Sequence, residues 1–170
     1  MACQYFTSSA NKDRYKKKNC HSTLMKLDPT NNDIWFIDPL NKNLGHYNPA
    51  TGTTQLFKIP VESVLSGITI GPSSTNIWVS LATANEVLRF NILEKTFSTP
   101  IKLPTQNATP LGIIADRSGQ IWVAESGTGK LANIDPTKNN KVTEFVQTGG
   151  INSTLKSPTT LLADPNSGHI

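Results

Sequence analysis

Gln120-Ile-Trp-Val-Ala-Glu125 decides the fold, because the chain writes this stretch three times. Asp33-Ile-Trp-Phe-Ile-Asp38 and Asn76-Ile-Trp-Val-Ser-Leu81 are the other copies, and their tryptophans, at 35, 78 and 122, stand 43 and 44 residues apart. A single β-rich hexapeptide per period of that length marks a repeat architecture, in which each unit buries its faces on its neighbours.

Outward from each copy the same cycle recurs. In the first, strands are expected over 23–28, 33–38, 43–48 and 53–59, with turn chemistry at Pro29-Thr-Asn-Asn32, Pro39-Leu-Asn-Lys42 and Pro49-Ala-Thr-Gly52. The second gives strands over 66–70, 76–81, 86–91 and 96–101, and the third over 110–115, 120–125, 130–135 and 142–146. Helical periodicity over ten or more residues occurs nowhere, so the expected class is all-β. Four antiparallel strands per period match a β-propeller blade, with blades expected at about 22–60, 64–104 and 109–147. Trp35, Trp78 and Trp122 are then fillers between blades, which explains why Ile121, Trp122 and Val123 are apolar in succession. Gly45, Gly67 and Gly112 mark places where backbones approach closely.

Residues 157–170 repeat 109–121, which places Ile170 just before the next tryptophan position. The expectation is therefore a partial propeller, three four-stranded blades plus the first strand of a fourth. Open blade faces and an unpaired edge are a liability in water. Such a chain is expected to be a segment of a larger propeller, or to be completed by self-association or by another chain.

The net charge of +4 is concentrated. Lys12, Arg14, Lys16, Lys17, Lys18 and Lys26 against Asp13 give residues 1–26 a charge of +5, leaving −1 for the rest. A basic lead-in over 1–21, loosely structured, on a nearly neutral body is not the distributed basic face of a nucleic-acid-binding domain. No apolar run approaches the roughly 18 residues that cross a bilayer, so no membrane span is expected. Cys3 and Cys20 both lie in the lead-in and form either one disulfide or two free thiols. No signal-peptide pattern opens the chain as written, yet its Asn, Thr, Ser and Pro content is common in exported repeat proteins, so the compartment stays open, an extracytoplasmic one being compatible with a true start further upstream.

Ile121-Trp-Val-Ala-Glu-Ser-Gly-Thr-Gly-Lys-Leu-Ala-Asn-Ile-Asp-Pro136, and Asn43-Leu-Gly-His-Tyr-Asn-Pro-Ala-Thr-Gly52, resemble the repeat of the streptogramin (virginiamycin B) lyase-like propellers. NHL-type propellers share much of that pattern. The resemblance covers about residues 22–170. It implies a lyase chemistry in which a histidine and a Glu-x-His pair work with Mg²⁺ on an ester whose alkoxide leaves. The matching positions here differ: Glu125 is followed by Ser126 and Gly127, and no Glu-x-His occurs in the chain. His46 stands where the repeat usually carries Arg and is expected to be a surface or packing residue.

In an antiparallel blade the first strand starts, and the second ends, on one propeller face. That face is expected to collect Asp38, Leu81 and Glu125 with the loops at 60–66, 104–109 and 148–158. Candidate ligand-binding residues there are Asp38, Asn41, Ser66, Thr109, Glu125 and Ser126, with no residue assigned as catalytic and none as a metal ligand. Gly127-Thr-Gly-Lys130 reads as a hairpin turn and not as a phosphate loop. The function expected is a propeller module that binds a small molecule or a protein, with no cofactor. The alternative is a lyase-like carbon–oxygen lyase acting on a cyclic ester with Mg²⁺, its histidines lying C-terminal to this segment.

Overall fold

The computed structural model describes residues 24–146, 156–164 and 170. The basic lead-in, both cysteines, His21 and His169 lie outside the described residues. The rest is three antiparallel sheets in chain order. The first holds β1 (Met25–Leu27), β2 (Ile34–Asp38), β3 (Asn43–Asn48) and β4 (Thr53–Lys58). The second holds β5 (Leu65–Ile70), β6 (Asn76–Leu81), β7 (Glu86–Asn91), β8 (Thr96–Phe97) and β9 (Ile101–Lys102). The third holds β10 (Pro110–Ala115), β11 (Ile121–Glu125), β12 (Lys130–Asp135) and β13 (Lys141–Phe145). This is a partial β-propeller of three blades.

The outer strand expected over 96–101 is broken into β8 and β9, both paired to β7. Pro100 lies in the break, and a residue without an N–H cannot donate to a ladder.

The turns repeat as faithfully as the strands. Asn48, Asn91 and Asp135 each end a third strand, and their side-chain oxygens accept from backbone N–H groups two or three residues on. Lys42, Asn85 and Gly129 close the preceding hairpin at φ 54°, 61° and 70°. One backbone solution therefore serves all three blades, and it holds even where lysine bears the cost of a left-handed conformation.

The blades pack by rows. Residues opposite one another across a ladder share a face, so Ile68, Val79 and Leu88 form one row of the second blade. That row joins Trp35, Ile37 and Leu44 of the first blade in one buried cluster. Trp78 of the second blade is buried in the same way against Ile113, Val123 and Ala132 of the third. Trp35 and Trp78 are each 2% exposed. Trp35 stacks on His46 with ring centroids 4.3 Å apart, and the Arg89 guanidinium lies 5.7 Å over Trp78. The partner of each tryptophan is thus the third-strand residue directly opposite it. Trp122 is only half-buried; its indole N–H donates to Asp116 Oδ2 at 2.9 Å and its ring meets Phe145.

Close approach fixes the inner strands. A Cβ on Gly67 would collide with the Leu111 carbonyl oxygen of the next blade. One on Gly112 would lie 2.8 Å from the Thr159 carbonyl oxygen, and Thr159 holds Leu111's place in the repeat. Residues 156–164 therefore lie beside β10 as β10 lies beside β5, but they carry no ladder. A strand needs a partner to pair with, and no second strand follows within the described residues.

Gly67→Ala should cost about 1–3 kcal/mol, since backbone of a neighbouring blade must move. Gly71→Ala, whose Cβ would find nothing nearer than 3.5 Å, should change stability by less than about 1 kcal/mol. Urea unfolding of both variants tests this, and equal costs would contradict the close approach.

Candidate functional site

The expected face is built from the second-to-third-strand hairpins and the loops between blades. In the first blade Asp38 is buried, and it caps its own turn. Its Oδ1 accepts from the Asn41 backbone N–H at 3.2 Å and its Oδ2 from Asn41 Nδ2 at 2.8 Å. The structure thus brings Asp38 and Asn41 together, with the carboxylate engaged by the turn.

The second blade has Leu81 at the corresponding position and cannot form that cap. Ser63, from the loop between blades, replaces it. Its Oγ accepts from the Thr83 and Ala84 N–H groups at 3.2 and 3.0 Å, while Thr83 Oγ1 accepts from the Val64 N–H at 3.0 Å. Ser63 and Thr83 are residues that sequence reasoning passed over. The available signal was the apolar Leu81 where its neighbours carry acids, which leaves a turn needing an acceptor from elsewhere.

In the third blade Glu125 is fully buried. Its Oε2 accepts from Thr128 Oγ1 at 2.9 Å, and its Oε1 has no hydrogen-bond partner among the described residues. Burial pushes its pKa above the ordinary 4.5, and the neighbouring Glu144 carboxylate adds to the shift; the Thr128 bond and the Lys130 charge do not offset them. Burial also works to raise Glu144, but there the Lys130 ammonium at 2.9 Å and the Thr105 hydroxyl and N–H hold it low. Two carboxyls with unequal proton affinity thus face one lysine at the junction of the second and third blades. Asp38 lies in the first blade, outside this group.

The remaining candidates separate. Ser66 is spent between blades: its Oγ reaches the Pro110 carbonyl at 2.6 Å, at a bulge where β5 shifts register. Thr109 adopts φ 47° and packs against the hairpin at Gly127, where a Cβ would collide with the Asn107 carbonyl oxygen and stand 2.8 Å from Thr109 Oγ1. Ser126 Oγ meets Ser157 Oγ at 2.6 Å, tying the third blade to residues 156–164. Among the described residues no three His, Cys, Asp or Glu side chains gather as metal ligands. The cation beside Glu125 and Glu144 is the Lys130 ammonium, so these carboxylates do not by themselves fit a Mg²⁺ site.

On the same face, between the first and second blades, runs a groove of about 450 Å³. Pro39, Leu40 and Val64 supply its apolar lining, and Lys42, Glu62, Ser63 and Thr83 its polar lining, with Lys42 and Glu62 ion-paired. Leu40 is 56% and Val64 54% exposed.

No family model matches the chain, and no curated protein matches it in sequence. Solved structures do match. Virginiamycin B lyase from Staphylococcus aureus superposes with a TM-score of 0.70 at 22% identity, over 84% of this chain and 45% of that one. The same lyase, as a catalytically inactive histidine-to-alanine variant, has been crystallised with quinupristin. Kuenenia stuttgartiensis hydrazine synthase matches with a TM-score of 0.69 at 16% identity, over 88% of this chain and 41% of that one. An auxiliary nutrient binding protein from Bacteroides thetaiotaomicron matches at 0.64 and 15%, over 90% and 44%. The chain spans less than half the length of each of these proteins. The likeness establishes the β-propeller fold.

A carboxyl with a raised folded-state pKa is easily kept while protonated, and its stabilising share is lost as pH rises through that pKa. Glu125→Gln, which cannot ionise, should therefore gain on the parent chain as pH climbs above 4.5. Denaturant midpoints measured across that range test this; a difference independent of pH would show that Glu125 ionises freely.

Proposed function

We propose that the chain is a propeller binding module that takes an amphipathic ligand in the groove between its first and second blades. The observation that carries this reading is the pair of exposed aliphatic side chains, Leu40 and Val64, held beside the Lys42–Glu62 pair. Apolar side chains more than half exposed at the mouth of a concavity of ligand size, with a few polar groups around them, form the usual composition of a binding site. Ser63 and Thr83, which also line the groove, are hydrogen-bonded to each other, Ser63 from the loop between blades and Thr83 from the turn after β6. The likeness to a nutrient binding protein supports a binding role.

A second reading is a carbon–oxygen lyase acting on a cyclic ester with Mg²⁺. The likeness to virginiamycin B lyase favours it. Such a lyase needs an acid–base pair and metal ligands near the reacting ester, and the two expected acids, Asp38 and Glu125, are in different blades, each tied to its own turn. On this reading the missing groups come from chain beyond the described residues.

One experiment separates the readings. The chain is titrated with fragments of a small-molecule library and with quinupristin, followed by NMR, and the quinupristin is recovered for mass analysis. Leu40→Asp and Val64→Asp should each weaken binding of a groove ligand by about tenfold or more, through loss of roughly 1.5 kcal/mol or more of apolar contact. Quinupristin should be recovered intact. Ring-opened quinupristin would favour the lyase, and binding indifferent to both substitutions would remove the groove as the site.

A further inference from the structure

On the reading of the groove between the first and second blades as a binding site, we infer that it takes its ligand by a carboxylate, in the place that Glu62 holds beside Lys42. The ligand class is then an aliphatic acid. Among the described residues the polar lining is Lys42, Glu62, Ser63 and Thr83, and what each can offer a ligand follows from what it already bonds.

Ser63 is fully engaged. Its Oγ accepts from the Thr83 and Ala84 N–H groups at 3.2 and 3.0 Å, which fills both lone pairs. Its own hydrogen has the Thr83 hydroxyl at 3.0 Å or the Val64 carbonyl at 3.4 Å. Thr83 Oγ1 accepts from the Val64 N–H at 3.0 Å. It cannot donate back to Ser63, whose lone pairs are taken, so the Thr83 hydroxyl hydrogen has no acceptor among the described residues. Thr83 is exposed, and that hydrogen is available to a ligand.

Lys42 supplies the charge. At the same hairpin position the second blade has Asn85, whose Nδ2 donates to the Leu103 and Thr105 carbonyls, and the third has Gly129. Of the three, lysine alone brings a cation there. Its partner is Glu62, from the loop between blades, whose side chain is 81% exposed against 31% for Lys42. So exposed an ion pair is weak, and the glutamate can turn into water at small cost. Nearby, Lys58 Nζ donates to the Asn41 carbonyl at 2.7 Å, and the Asp38 carboxylate is held within its turn by Asn41.

With Glu62 turned away, the groove presents an ammonium and a hydroxyl donor beside the aliphatic surface of Leu40 and Val64. A carboxylate matches those donors in charge and hydrogen bonding, and an alkyl chain matches the rest.

The full chain is titrated with hexanoate, hexanamide and hexylamine, followed by NMR at Leu40, Val64 and Thr83. Hexanoate should bind about fivefold or more tightly than hexanamide, and more tightly than hexylamine. Lys42→Gln should remove the preference, bringing hexanoate and hexanamide together. Glu62→Gln removes the competing carboxylate and should tighten hexanoate binding by about two- to fivefold, a gain that a merely structural ion pair would not give. Equal binding of hexanoate and hexanamide overturns the carboxylate and leaves the groove as a binding site. A preference for hexylamine, or a Glu62→Gln variant that binds hexanoate less well, overturns it too. So does hexanoate that shifts none of these residues; library fragments still binding at Leu40 and Val64 would then keep the groove reading.

Discussion

Each blade is held by its neighbour, and the hold is the packing of one tryptophan face against one aliphatic row. A four-stranded sheet of about 40 residues cannot bury both faces by itself. Trp35 is buried by Ile68, Val79 and Leu88, and Trp78 by Ile113, Val123 and Ala132. The remaining features follow from the geometry this packing imposes. Inner strands come so close that Gly67 and Gly112 can bear no side chain without displacing backbone. Ser66 and Ser80 reach across to the Pro110 and Leu111 carbonyls of β10, where bulges interrupt the regular pairing.

The same packing decides what the site face can offer. The expected acids there are absorbed by local needs: Asp38 by its turn, and Glu125 by burial and the Thr128 hydroxyl. Among the described residues, a groove between the first two blades lies on the same face. Beside it Ser63 caps the turn that Leu81 cannot, and its neighbour Val64 lines the groove together with Leu40.

Much of this was legible in the sequence, and the reason is repetition. Three tryptophans at one period, each inside a strand and bounded by Asx and Gly turn residues, leave the backbone little choice, so blade order and strand pairing could be read directly. Asn48, Asn91 and Asp135 recur because the same turn needs the same acceptor. The site was harder to read. Nothing in the local sequence shows that Glu125 is buried, and Ser66 looked like a ligand contact because nothing local reveals the carbonyl it meets 44 residues on. Pro100 was a local signal for the broken outer strand, and the regularity of the other blades masked it. Ser63 had no signal of its own, only the gap at Leu81.

Trp78 is the direct place to test the row-on-row packing, because it lies between two blades that are both described. Urea unfolding of Trp78→Ala, followed by far-UV ellipticity and by hydrogen exchange, is the measurement. The expected result is a loss of about 3–5 kcal/mol, the cost of a large buried aromatic, with all three blades still unfolding in a single transition. A midpoint unchanged from the parent chain, or blades that melt separately in the parent itself, would contradict the packing on which the structure depends.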